Sequence, residues 1–180
     1  MRPSFDPSQN KATPHSVFLY RLLFLLLSRE RNFEMYKRIL VAIDGSETSK
    51  VALQEAVKLA KDHDSQIRLL HVVDLTMAYS AVEAPYIFEY RKAMEEEGKK
   101  VLADSAALPR SAGIQCESKC VVTFAEHVYD VIEEEATQWP ADLVVIGTHG
   151  RRGIRRLLLG SVAEGLTRIS SKPILLIRGT

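Results

Sequence analysis

Gly147, Gly150, Gly160 and Ser161 are spaced to hold a phosphate. They form the pattern G-x2-G-x9-G-S, which begins where the apolar run Leu143-Val144-Val145-Ile146 stops. Glycines let backbone N–H groups approach a phosphate closely. A helix opening at Ser161 would add the unpaired donors and positive potential of its N-terminus. The plainer alternative is an ordinary strand-to-helix loop. Ser161 suits an N-cap, a phosphate donor, or both. Between Gly150 and Gly160 stand Arg151, Arg152, Arg155 and Arg156. Their guanidinium groups fit β- and γ-phosphate oxygens, or they form a solvated basic loop. His149 lies inside the loop; acid–base work is conceivable for its ring, but contact with a sugar or with solvent is the better reading. Asp44 ends the apolar segment Arg38–Ile43. Its carboxylate can accept from ribose hydroxyls, help hold a metal ion, or cap the next helix.

Other chemistries are absent from the sequence. There is no G-x4-G-K-[ST] and no G-x-G-x-x-G, which removes the Walker-type and dinucleotide fingerprints. No G-x-S-x-G elbow occurs, and no His, Cys, Asp or Glu pair has convincing zinc spacing. The loop Asp44-Gly45-Ser46-Glu47-Thr48-Ser49 is not the Ser-Gly-Gly loop of adenylating ATP pyrophosphatases. His71 falls on an apolar strand and reads as a satisfied core residue, with His63 and His127 at or near the surface. The formal net charge is +1, which gives no reason to expect nonspecific nucleic-acid binding. Cys116 and Cys120 do not suggest a secreted disulfide framework. On one strand their Cα atoms would lie ~13 Å apart, too far to bridge, so both read as structural thiols.

The elements that must position these residues alternate between strand and helix. Lys37 to Asp44 is a first strand. Ser46 offers an N-cap, and Val51, Leu53, Ala56, Val57 and Ala60 give the following helix an apolar face. Ile67 to Val73 is a second strand, closed by Asp74. Residues 75–84 read as loop. Pro85 suits a helix's first turn, and that helix runs to about Leu108, with Glu95-Glu96-Glu97 and Lys99-Lys100 on a solvated face. A strand from Ile114 to Val122, a helix from Ala125 to Gln138 and a strand from Leu143 to Ile146 follow. The glycine loop leads to a helix from Ser161, and Pro173 opens a last strand, Ile174 to Ile177. Strands alternating with helices imply a parallel sheet covered on both faces, doubly wound by right-handed crossovers. Gly165, inside the last helix, should cost about 1 kcal/mol relative to Ala, with no functional reason evident.

At 180 residues, 46% hydrophobic and 26% charged, the chain suits one globular domain with a sizeable core. Residues 1–34 read differently from the rest. Residues 1–15 are polar, and the run Val17–Leu27 is interrupted by Arg21. A spanning helix needs roughly 20 apolar residues, so this run is not read as transmembrane. No small-x-small cleavage site follows it. Residues 1–34 are read as an upstream extension, with a docking helix as the alternative; residues 35–180 form the domain.

The glycine motif, the segment Arg38-Ile39-Leu40-Val41-Ala42-Ile43-Asp44-Gly45-Ser46 and the ending Pro173-Ile174-Leu175-Leu176-Ile177-Arg178 together resemble the universal stress protein family. The motif is similar to that of the family's ATP-binding branch. The resemblance implies a five-stranded parallel sheet of order 3-2-1-4-5, a Rossmann-like three-layer sandwich akin to the adenine nucleotide alpha hydrolases. In that order the crevice between the first and fourth strands is the topological switch point, where ligands bind. By the same resemblance Ala42 and Ile43 line an adenine pocket and the Val72 backbone meets the ring. Ile146 and Gly147 lie beside the sugar, and Gly150, Gly160, Ser161 and Val162 contact phosphates. Ala163 stands where some nucleotide-binding members carry a hydroxyl, which removes one possible contact. The resemblance implies ATP, or ADP or AMP, as ligand, with Mg²⁺ held mainly by phosphates and at most slow hydrolysis. It also implies a cytoplasmic homodimer paired through Pro173 to Arg178. A nucleotide-independent interaction module and an enzyme acting on an adenylated or phosphorylated small molecule are the competing readings.

Overall fold

The computed structural model describes residues 35–76, 78, 84–150 and 159–179, all within the unit Met35–Thr180. The expectations for residues 1–34 and for Arg151, Arg152, Arg155 and Arg156 lie outside the described residues. Strands β1 (Arg38–Ala42), β2 (Gln66–Asp74), β3 (Cys116–Thr123), β4 (Leu143–Gly147) and β5 (Ile174–Ile177) alternate with helices α1 (Glu47–His63), α2 (Ile87–Ser111), α3 (Val128–Gln138) and α4 (Ser161–Ile169). The strands form one sheet of order β3-β2-β1-β4-β5, and each adjacent pair is parallel. The doubly wound order expected from the resemblance is therefore the observed one.

Central strands are apolar on both faces because both faces are covered. Ile39, Val41, Ile67, Leu69, Leu143 and Val145 pack under α1 and α2, with Leu53, Ala56, Val57, Leu102 and Ala106 from those helices. Leu40, Leu70, Val144 and Ile146 face the opposite layer, with Ile132, Ala136, Ala163 and Leu166 from α3 and α4. Full burial of each such Leu, Ile or Val side chain contributes roughly 1.5–3 kcal/mol. A carboxylate enters the second layer. Glu135 of α3 is buried and pairs with Lys119 and, at 2.5 Å, with Arg68. The Arg68 guanidinium also meets Glu117 at 2.6 Å and lies over the Trp139 ring.

Several boundaries differ from the sequence reading for local reasons. The buried stripe of α1 is Ser49, Ala52, Leu53, Ala56, Val57 and Ala60, so Val51 sits at its margin rather than on it. Thr76 and Ala78 are helical, not loop; the Asp74 carboxylate accepts the Thr76 N–H at 2.9 Å and starts that turn. Pro85 falls in a 3-10 turn, Ala84–Tyr86, ahead of α2. α2 runs past Leu108 to Ser111, and its end takes the Ile114 N–H onto the Pro109 carbonyl. Hence β3 begins at Cys116, not Ile114. The Thr123 hydroxyl accepts the Glu126 N–H at 3.1 Å, a turn that delays α3 to Val128.

Candidate functional site

The crevice exists because β1 is short. Its paired register with β2 stops at Ala42–Leu70, whereas β2 continues to Asp74 and β4 to Gly147. The Ile43 N–H still reaches the Leu70 carbonyl at 2.8 Å, after which the chain turns away. Gly45, at φ 83, makes that turn in a conformation that favours glycine. Ser46 is the N-cap of α1, its side chain accepting the Ser49 N–H at 3.2 Å. Asp44 is therefore not the cap but its brace. Its Oδ1 accepts from the Ser46 N–H at 3.0 Å and the Ser46 hydroxyl at 2.6 Å.

The glycine loop closes against this turn. The Asp44 Oδ2 lies 2.6 Å from where a Cβ on Gly150 would stand, so any side chain at 150 would strike the carboxylate. Gly147 is buried, with Thr48 of α1 against it; a Cβ there would meet Thr48 Cγ2 at 2.8 Å. The Thr148 carbonyl accepts the Gly160 N–H at 2.8 Å, and the Thr148 N–H donates to Ile177 O. Thr148 and Gly160 are thus held together by a backbone bond. A Cβ on Gly160 would meet Thr148 O at 3.1 Å. The two glycine sites, 150 and 160, and Asp44 therefore share one small region at the switch point.

Gly160, not Ser161, occupies the N-cap position of α4, in extended conformation and without a side-chain cap bond. The reason is that its carbonyl already accepts the Glu164 N–H at 2.8 Å. Ser161 becomes the first helical residue, exposed, followed by half-buried Val162 and buried Ala163. The first-turn N–H groups of Ser161, Val162 and Ala163 have no intrahelical acceptor. His149 bonds through Nδ1 to the Thr148 hydroxyl at 3.0 Å, while its Nε2 is buried with no hydrogen-bond partner among the described residues.

At the strand ends that line the crevice, Ala42 and Val72 are half-buried and Ile43 and Ile146 buried. Ala42, Val72 and Ile146 share the α3 and α4 layer, and Ile43 belongs to the α1 and α2 layer. The sequence reading missed Thr48, which fits between Gly147 and Gly179, and Thr148, whose backbone joins both ends of the loop. No motif marks either; their only signal is adjacency to Asp44 and to the first glycine. Cys116 and Cys120 are free and half-buried. Burial pushes both thiols up, so neither is an activated nucleophile. Among the described residues no cluster of His, Cys, Asp or Glu is placed to hold a metal ion, and no helix is long and apolar enough to cross a membrane.

Known proteins share this architecture. The family model described as Universal stress protein family matches residues 35–178. Universal stress protein YxiE of Bacillus subtilis (strain 168) is 31% identical over 151 residues, covering 80% of this chain and 100% of that protein. A solved structure of a universal stress protein family member from Burkholderia pseudomallei is 35% identical, with a TM-score of 0.64 over 80% of this chain and 97% of its own. A universal stress protein solved in complex with cAMP shares the fold at 24% identity, with a TM-score of 0.61 over 82% of this chain and 100% of its own. With a family model spanning β1 to β5 and a relative matched along its whole length, the chain belongs to the universal stress protein family.

Proposed function

We propose that this chain is an ATP-binding universal stress protein whose nucleotide state serves as a signal. The observation that carries the reading is the packing of the Asp44 carboxylate against Gly150, beside the α4 N-terminus and above the shortened end of β1. A site of this build offers a carboxylate for ribose hydroxyls, backbone N–H groups for phosphates, and strand-end backbone for a base. Ala42, Ile43 and Val72 would flank the adenine, Ile146, Gly147 and His149 the sugar, and Gly150, Gly160, Ser161 and Val162 the phosphates. The buried Nε2 of His149, with no hydrogen-bond partner among the described residues, is a polar atom that a ligand group can satisfy. A Mg²⁺ ion would be held mainly by phosphate oxygens, with Asp44 as the nearby carboxylate. The cAMP bound in the structural neighbour is an adenine nucleotide, in keeping with this chemistry.

Turnover in this reading is slow. Asp44 is engaged with Ser46 and His149 with Thr148, so neither is set as a general base. The protein is a cytoplasmic homodimer; two free thiols suit a reducing compartment. β5 lies at the sheet edge with all four residues only half-buried, and an apolar edge strand invites pairing with a second copy. Residues 35–180 carry the fold and the site, with residues 1–34 as an extension.

Freshly purified protein, denatured and examined by chromatography and mass spectrometry, should release ATP or its hydrolysis products at near one per subunit. An empty protein that also fails to bind added Mg·ATP would refute the reading and leave a nucleotide-independent interaction module.

A further inference from the structure

The backbone of β2 alternates in a way that gives His71 a role. Gln66 N–H donates to Lys37 O, and Leu70 O accepts from Ile43 N–H, both toward β1. Ile67 N–H donates to Gln115 O and Leu75 N–H to Thr123 O, both on the β3 side. Even-numbered residues of β2 therefore direct N–H and C=O toward β1, and odd-numbered ones toward β3. Val72 faces the β1 side, beyond the last paired residue of β1, Ala42.

In a continued parallel ladder the next rung would run from the Val72 N–H to the Ile43 carbonyl. That carbonyl instead sits 2.6 Å from Nδ1 of His71. A carbonyl only accepts, so Nδ1 carries the proton. The ring is buried, 6% exposed, and held in place from α2. A Cβ on Gly98 would meet His71 Cδ2 at 2.6 Å and Cys120 Sγ at 3.0 Å. A histidine on an apolar strand and a glycine in mid-helix, each unfavourable alone, are explained by each other.

We propose that His71 is a positioning residue for the base. By drawing the Ile43 carbonyl out of the ladder it leaves the Val72 N–H and C=O facing the end of β1 as an adjacent donor and acceptor. Adenine presents the complementary acceptor and donor at N1 and N6, whereas guanine presents a donor and an acceptor at N1 and O6. His71 thus sets the preference for adenine without touching it. This rests on the nucleotide-binding reading of the crevice.

The test is amide exchange by NMR on the full chain, together with AMP and GMP titrations, for wild type, His71→Leu and His71→Asn. Asn carries a donor at the same δ position as Nδ1. In the wild type the Val72 amide should exchange faster than that of Leu70, and AMP should protect it. In His71→Leu the Val72 amide re-pairs with Ile43 and becomes protected without ligand. AMP affinity then falls roughly three- to tenfold, the preference over GMP shrinks, and His71→Asn restores both. A Val72 amide as slow as that of Leu70 in free wild type overturns the proposal, even where the Leu variant does not fold. So does a folded His71→Leu with unchanged AMP affinity and preference. A wild type that binds no adenine nucleotide removes the nucleotide reading instead, and the amide contrast between variants still decides what His71 does to the ladder.

Discussion

Replacing Gly150 by Ala isolates one contact. Gly150 is exposed and is not among the positive-φ glycines, so Ala adopts its backbone without strain and leaves no cavity. The methyl would lie 2.6 Å from the Asp44 Oδ2, whereas ordinary contact begins near 3.4 Å. The carboxylate must retreat by the difference, 3.4 − 2.6, or 0.8 Å. Its other oxygen holds the Ser46 N–H and hydroxyl at 3.0 and 2.6 Å, and a retreat of that size breaks or weakens both. Hydrogen bonds to a charged group contribute about 1.5–3 kcal/mol, and partial exposure puts the expected loss at the lower end. Gly150→Ala should therefore lower unfolding free energy by about 1–2 kcal/mol in urea titration. In an Asp44→Ala background the same methyl meets no other atom within 4 Å among the described residues, so the second substitution should cost little. The cycle should show a coupling of about 1–2 kcal/mol, inside the range seen for residues in contact. Mg·ATP affinity by calorimetry should fall in both single variants. Additivity within about 0.5 kcal/mol would refute the claim that the two loops meet through this carboxylate.

Further substitutions test the surrounding parts. Ser46→Ala removes the N-cap of α1 and one partner of Asp44, and should cost about 1 kcal/mol by thermal or urea unfolding. Gly165→Ala should destabilise by roughly 1–3 kcal/mol despite better helix propensity, because the new Cβ would stand 2.2 Å from Tyr129 Cδ1; in a Tyr129→Ala background the sign should reverse. Burial pushes the Glu133 carboxyl up, but hydrogen bonds from Ser170 and Ser171 and the charge of Lys172 outweigh it and hold the group below the usual carboxylate range. A folded-state value below the unfolded one stabilises above the ordinary carboxylate pKa and loses that stabilisation as pH falls. The stability gap between wild type and Glu133→Gln should therefore be widest near neutrality and close in acid, measured by urea titration at each pH. Deleting residues 1–34 should leave folding and nucleotide binding unchanged, with an insoluble product counting against the proposed domain boundary.

The order of elements was legible because the signals are local. Runs such as Leu143–Ile146 have no polar alternation, which marks strands buried on both faces, and the stripe from Leu53 to Ala60 has helical spacing. Strand order was not legible from periodicity and came from the resemblance. Within the site, Asp44 and the glycines stood out because their residue types are unusual at strand ends. What they contact did not. Ser161 has the chemistry of a cap, yet the backbone bonds of Gly160 place the cap one residue earlier, and no composition rule reports that. Asp44 has the chemistry of a cap as well, yet Ser46 takes the position and leaves Asp44 to brace it. Both assignments rest on short-range bonds that residue type alone does not choose between: the Glu164 N–H on the Gly160 carbonyl, and the Ser49 N–H on the Ser46 hydroxyl.

Gly98 and Gly165 carry the same lesson on opposite faces of the sheet. Each lies inside a helix, where glycine should be less favourable than Ala by about 1 kcal/mol. Each lies under a ring: His71 from β2 against Gly98, and Tyr129 from α3 against Gly165. A ring that close leaves no room for even a methyl, so the helix gives up propensity to let the partner approach. The Tyr129 ring is itself stacked on His127 at 4.9 Å, which limits how far it can yield. In both helices the intrinsic penalty is evidence of a tertiary contact. For Gly98 that contact holds the imidazole that meets Ile43, one residue before Asp44, so the backbone of a remote helix reaches the crevice through a single side chain.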